Sequence, residues 1–184
     1  MQVQPTTNDF LQHADWTFPV PITYGPGRID ELPVHCHRLG LNNPLMITDS
    51  GTASLTFVSG ALDLLARAGI ASTIFHNISQ NPTENDVCNA HSVFRSGNHD
   101  GVIAIGGGSG MDAGKATALL AGSRHDLWQH DFEKVPPKLD PADKFPPLIC
   151  IPTTSGTGSE TETTAMITNI DRAMKLCVCH PLRK

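Results

Sequence analysis

The sequence predicts a doubly wound α/β fold around a mostly parallel sheet, and three observations carry that prediction. Short apolar runs alternate with helix-patterned stretches of about 12 residues, as strand–helix–strand units do. At Gly101–Ala121, GVIAIGGGSGMDAGKATALLA, an apolar run (Val102–Ile105) enters three consecutive glycines, and a small-residue helix candidate leaves from Ser109. The polar residues that stand out, Asp49, Asn81, Gly106–Ser109 and Thr153–Ser159, all follow predicted strands. Open α/β sheets hold their ligands at that end.

Composition narrows the function classes. A chain of 184 residues is long enough for one or two domains with a core. Hydrophobic residues make up 39% and charged residues 17%, which suits a globular fold and excludes disorder. The net charge of −5, with no Lys/Arg run, argues against a nucleic-acid partner. Five cysteines, an odd number, form no disulfide framework; Cys177 and Cys179 alternate along an apolar stretch as strand residues of a reducing compartment. No apolar run reaches the ~18 residues of a membrane span. The start, MQVQPTTNDFLQ, lacks the basic flank and apolar block of a signal peptide. The expectation is a cytoplasmic protein without a membrane partner.

In chain order, residues 1–17 are polar and expected to be loose, and 18–184 form the α/β domain. Pro19–Tyr24 reads as extended and closes on the turn Gly25-Pro26-Gly27. Ile29–Leu39 has helical spacing, with Pro33 tolerated only in the first turn. Pro44–Thr48, PLMIT, is a buried strand ending at Asp49-Ser50-Gly51. A helix over Leu55–Ala68 places Leu55, Val58, Leu62 and Leu65 on one stripe, and Gly69 stops it. Ala71–His76 is the next strand. Thr83 suits an N-cap for a helix with Val87, Ala90 and Phe94 facing inward, which Gly97 ends.

After the glycine turn, helix Gly110–Ala121 is rich in Ala, Leu and Gly and packs close on the sheet. Gly122–Pro147, with five prolines from Pro136 on, reads as a long surface loop. Leu148–Ile151 is a strand entering the polar run Pro152–Glu160. Ala165–Thr168 and Met174–Val178 form a C-terminal β-hairpin around Asn169-Ile170-Asp171-Arg172.

The glycine turn is the strongest chemical signal. Glycines let a backbone approach an anion, and the first amides of a helix point at it with the positive end of the dipole. Two standard patterns fit poorly. Gly108–Ala113 matches G-x-G-x-x-A, but the ribose acid expected about 20 residues downstream would fall in an irregular segment. The Walker pattern fails too, because Ala116 stands where Ser or Thr should bind magnesium. Ser109–Asp112 also has capping-box spacing, and Asp112 with Lys115 is an i,i+3 pair, so both carry a structural reading beside the functional one. Asp49 serves either as a turn aspartate or as a carboxylate that accepts both ribose hydroxyls and repels a 2′-phosphate. PTTSGTGSE (Pro152–Glu160) packs five hydroxyls and two glycines behind a strand, as a polar ligand wall does. His35-Cys36-His37, Cys177-Val178-Cys179-His180 and Asp126/His130 lack the paired spacing of a structural zinc site.

Taken together, NPTENDV (Asn81–Val87), GGGSGMDAGKA (Gly106–Ala116) and PTTSGTGSE (Pro152–Glu160), in this order and spacing, resemble the iron-containing (group III) alcohol dehydrogenases over about residues 18–184. The resemblance implies a Rossmann-like NAD(P)-binding domain followed by a helical domain that carries one Asp and three His on iron or zinc. By position it implies cofactor-binding roles for Asp49 (adenine ribose), Asn81, Gly107, Gly108 and Ser109 (pyrophosphate), Thr153, Thr154 and Lys175. Asp49 favours NAD over NADP.

In such enzymes the metal lowers the alcohol's pKa and hydride passes to the nicotinamide. The implied substrate is a small alcohol or aldehyde. Catalytic and metal residues are expected beyond Lys184, so these residues alone are expected to be catalytically incomplete. An uncovered cleft face would then invite homo-oligomers. One departure stands out: Glu162 replaces a common Thr and would oppose a pyrophosphate if it faced one. Two other functions fit the same fold: a dehydroquinate-synthase-like lyase, and a non-catalytic nucleotide-binding module.

Overall fold

The computed structural model describes residues 13–17, 20–138 and 140–179. In chain order the elements are β1 (Ala14–Trp16), β2 (Ile22–Tyr24), α1 (Leu32–Arg38), β3 (Leu45–Ile47), α2 (Thr56–Arg67), β4 (Thr73–Phe75), α3 (Glu84–Ser96), β5 (Val102–Gly106), α4 (Gly108–Gly122), β6 (Leu148–Pro152), β7 (Thr164–Asn169) and β8 (Met174–Cys179). Four of the strands form a parallel sheet in the order β4-β3-β5-β6, and β1-β2 and β7-β8 are antiparallel pairs. Met46 stands opposite Ile74 on one side and Ile103 on the other, and Ala104 opposite Cys150.

Both faces of the sheet are covered, which is why β3 and β5 are apolar throughout rather than alternating. Met46, Ile103 and Ile105 pack with Leu32 and Cys36 of α1 and Val58, Ala61 and Leu65 of α2. Leu45, Ile47 and Val102 face the other way, onto Ala90 and Phe94 of α3 and Ala113 and Ala118 of α4. The doubly wound reading is therefore correct. At Gly114 an added Cβ would lie only 2.5 Å from the Ala104 Cβ, so α4 rides directly on β5. The β7–β8 hairpin adds an outer layer, with Ala165, Ile167 and Val178 packed on Val87, Ala116 and Leu119.

Helix α3 begins as its sequence directs. The Thr83 hydroxyl accepts from the Asp86 N–H at 3.2 Å, and the Asp86 carboxylate accepts from the Thr83 N–H at 2.9 Å. Thr83→Ala is expected to lower stability by about 1 kcal/mol, seen as a lower urea midpoint at unchanged slope. An unchanged midpoint would refute the cap's contribution.

Three expectations need correction. Ile29–Leu39 is not one helix: Arg28–Glu31 forms a 3-10 turn, and α1 follows with Pro33 in its first turn. The segment expected to be loose, 1–17, has its first twelve residues outside the described ones, but Ala14–Trp16 is a strand paired with β2. Arg28 holds it there, donating to Asp15 at 2.9 Å, to the Ala14 carbonyl, and to Glu31. A contact thirteen residues apart leaves no local trace in composition. The Gly122–Pro147 loop is likewise stapled down. Leu127–His130 forms a 3-10 turn with Leu127 and His130 buried, Asp131 bridges Val178, and Trp128 donates to Glu84 of α3. Among the described residues no helix is long and apolar enough to cross a membrane.

Candidate functional site

The strand order places the site. From β3 the chain moves outward to β4, whereas from β5 it moves the opposite way to β6, so a crevice opens between the carboxyl ends of β3 and β5. Asp49 lies just after β3 and the glycine turn just after β5. Gly106 has φ 146°, a conformation glycine tolerates and side chains resist. A Cβ built on it would lie 3.3 Å from Asp49 Oδ2, so the carboxylate and the glycine turn share one wall of the crevice.

The opposite wall comes from the loop after β6. The Thr153 N–H donates to the Gly106 carbonyl at 2.9 Å and extends the parallel ladder. A Cβ on Gly107 would stand 3.2 Å from Thr154 Oγ1, and one on Gly108 would stand 3.8 Å from Thr157 Cγ2. Gly107 is the N-cap of the fifteen-residue α4. The first amides of that helix, at Gly108, Ser109 and Gly110, therefore open on the crevice. The Ser109 hydroxyl donates to the Gln80 carbonyl, which brings the exposed Asn81 beside the helix start. Lys175 is exposed on β8 opposite Thr168, and the Thr168 N–H donates to the Pro82 carbonyl at 2.7 Å. Asp49, Asn81, Gly107–Ser109, Thr153 and Thr154 thus border one crevice, with Lys175 on the strand pair tied to the Asn81 loop.

The turn reading of Asp49 is correct. Its Oδ1 accepts from the Thr52 N–H at 2.9 Å and its Oδ2 from the Thr52 hydroxyl at 2.7 Å. Each carboxylate oxygen has a second lone pair, so the turn orients the group and leaves capacity for a ligand hydroxyl.

The capping-box reading of Ser109–Asp112 is wrong, because α4 starts earlier, at Gly108. Asp112 instead accepts from the Ser159 hydroxyl at 2.6 Å and from the Met166 N–H at 3.2 Å. Its i,i+3 pair with Lys115 is present and lies away from solvent. Lys115 is 5% exposed, sits 3.1 Å from Asp112 Oδ1, and donates to the carbonyls of Ser159 and Thr164. The signal for this was a single lysine in a helix with no polar face. Glu162 is exposed and borders a pocket of about 90 Å³ with Asp112, Lys115, Thr157 and Thr164, one to two helical turns along from the glycine turn.

Four of the cysteines are poor nucleophiles. Burial pushes the Cys36 thiol up to about 11 and raises Cys88, Cys177 and Cys179 above the usual thiol value. Of the weighed metal ligands, Cys36 is core, His130 is buried against Ser123, and His180 lies outside the described residues. Among the described residues no group of three or more His, Cys, Asp or Glu side chains is arranged to hold a metal ion.

A doubly wound sheet with a glycine-lined crevice at its switch point defines a nucleotide-binding class of fold. The chain belongs to the iron-containing alcohol dehydrogenase family, whose profile, Iron-containing alcohol dehydrogenase, matches residues 19–183. It is 33% identical over 168 residues to a choline dehydrogenase of Bacillus subtilis (strain 168), covering 90% of this chain and 41% of the relative. Among solved structures it resembles a 1,3-propanediol oxidoreductase with TM-score 0.76 at 31% identity, over 84% of this chain and 39% of the other. A sulfoacetaldehyde reductase from Bifidobacterium kashiwanohense, in complex with NAD+, superposes with TM-score 0.71 at 30% identity, over 85% and 40%. The chain spans about 40% of the length of these relatives.

Proposed function

We propose that the crevice binds NAD(H), and that the chain is the cofactor-holding part of a dehydrogenase that moves hydride between an alcohol and its aldehyde. The observation that carries this is the 3.3 Å between Asp49 Oδ2 and the Cβ position of Gly106. A ribose acceptor and a diphosphate cradle then face one dinucleotide. The NAD+ bound to the sulfoacetaldehyde reductase supports the same cofactor.

In this reading the amides of Gly107, Gly108 and Ser109 hold the diphosphate, where the helix dipole favours negative charge. Asp49 accepts from the adenine ribose hydroxyls and repels a 2′-phosphate, which sets NAD above NADP. Asn81, Thr153 and Thr154 line the cleft, and Lys175 contacts the cofactor from the hairpin. The bound cofactor supplies the hydride acceptor. The residues described here do not fit the family's metal, since they contain no suitable ligand cluster. A cytoplasmic location is supported by five cysteines of which none forms a disulfide.

Titration with NADH and with NADPH, followed by nicotinamide fluorescence, tests this. The wild-type chain is expected to bind NADH at least about tenfold tighter than NADPH, and Asp49→Ser to narrow that ratio by weakening NADH and admitting NADPH. Equal affinities in the wild type would remove Asp49 from the cofactor site, and no binding of either would overturn the reading. Binding without oxidation of any alcohol is the outcome expected of a cofactor-holding part alone or of a nucleotide-binding module.

A further inference from the structure

Ser109 stands second in α4, where its amide is one of those that open on the crevice. Its hydroxyl is engaged elsewhere. It donates to the carbonyl of Gln80, 29 residues earlier, in the segment between β4 and α3. A hydroxyl has one hydrogen to give, and the oxygens of an ionised diphosphate only accept. While that hydrogen lies on Gln80, the Ser109 hydroxyl has only lone pairs left and offers a diphosphate nothing.

The segment that it holds is short and fastened at both ends. Ile78 and Pro82 are buried, and the Pro82 carbonyl accepts from the Thr168 N–H of β7 at 2.7 Å. Between them Ser79, Gln80 and Asn81 are exposed. Fixing the backbone of a residue costs about 1–2 kcal/mol in entropy, so an exposed run needs a tie to stay in one place. The Ser79 N–H reaches Asp86 only at 3.4 Å. The Ser109 hydroxyl ties the run to α4 one residue before Asn81. Asn81, whose amide both donates and accepts, is thereby held beside the glycine turn.

We propose that Ser109 has two separable roles: its amide holds the diphosphate, and its hydroxyl positions Asn81 for the rest of the dinucleotide. The proposal rests on the NAD(H) reading above. Ser109 is then a binding residue through its backbone and a positioning residue through its side chain. Loss of the hydroxyl is felt wherever Asn81 is needed, and not at the diphosphate itself.

The test is calorimetric titration with NADH and with inorganic pyrophosphate of the wild type, Ser109→Ala, Asn81→Ala and the double variant. Ser109→Ala is expected to bind NADH about 3- to 10-fold more weakly, yet pyrophosphate within about twofold of the wild type. The double variant is expected to bind NADH within about twofold of Asn81→Ala alone, because both changes remove one contact. The proposal fails if Ser109→Ala binds NADH like the wild type, or if the two losses add. It also fails if Ser109→Ala loses pyrophosphate as much as NADH, which would make the hydroxyl a diphosphate ligand. If the wild type binds no NADH, the cofactor reading falls, and hydrogen exchange over residues 78–86 still decides the tie. Faster exchange there in Ser109→Ala supports it, and unchanged exchange overturns it.

Discussion

Gly107→Val is expected to weaken NADH binding by about 100-fold, roughly 3 kcal/mol, while the chain melts within about 2 °C of the wild type. The reason is that the three glycines of the turn serve different ends. Gly106, at φ 146°, needs glycine for its backbone. Gly107, at φ −78° and ψ −169°, has an extended conformation that any residue adopts. What glycine provides there is clearance: a Cβ would already stand 3.2 Å from Thr154 Oγ1, beside the amides proposed to hold the diphosphate. A valine would fold and close the groove. Gly106→Val, in contrast, should lose stability as well as binding. NADH affinity of Gly107→Val within about threefold of the wild type would show that the diphosphate does not lie there.

The largest expected loss of stability is at Lys115. Lys115→Met keeps the aliphatic stem but removes the charge that faces Asp112 and the donor shared by the Ser159 and Thr164 carbonyls. Stripping one partner from a buried ion pair costs about 3 kcal/mol, which for a chain of this size lowers Tm by about 6–12 °C. Asp112 keeps its bonds from Ser159 and Met166, so its carboxylate stays mostly out of water and lacks its counter-charge. Adding Asp112→Asn to Lys115→Met should therefore recover part of the loss, because the two changes share one network. A Tm within about 2 °C of the wild type for Lys115→Met would place the ammonium in solvent.

Much of this was legible in the residues because it is local. The apolar runs PLMIT and GVIAI read as strands, Thr83 as a cap, and the GGGSGMDAGKA and PTTSGTGSE motifs as the two walls of a cleft. The doubly wound order follows from alternating elements. What could not be read depends on partners distant in sequence. Lys115 showed only its i,i+3 pair with Asp112 because its other acceptors lie 44 and 49 residues away. Ala14–Trp16 looked loose because Arg28 and β2 hold it, and the loop after α4 looked free because Asp131 meets Val178 only after the hairpin has formed.

The staking of Ser159 and Thr164 by one ammonium has a consequence for how the cleft breathes. The residues from Thr153 to Thr157 are exposed, and by themselves would fray one at a time. Their far end is instead clamped at several acceptors by a single cation, so those bonds are coupled through one side chain. The wall should behave as a latch with two positions, shut for nearly all of its lifetime and opened only by rare excursions that also unzip α4 from β7.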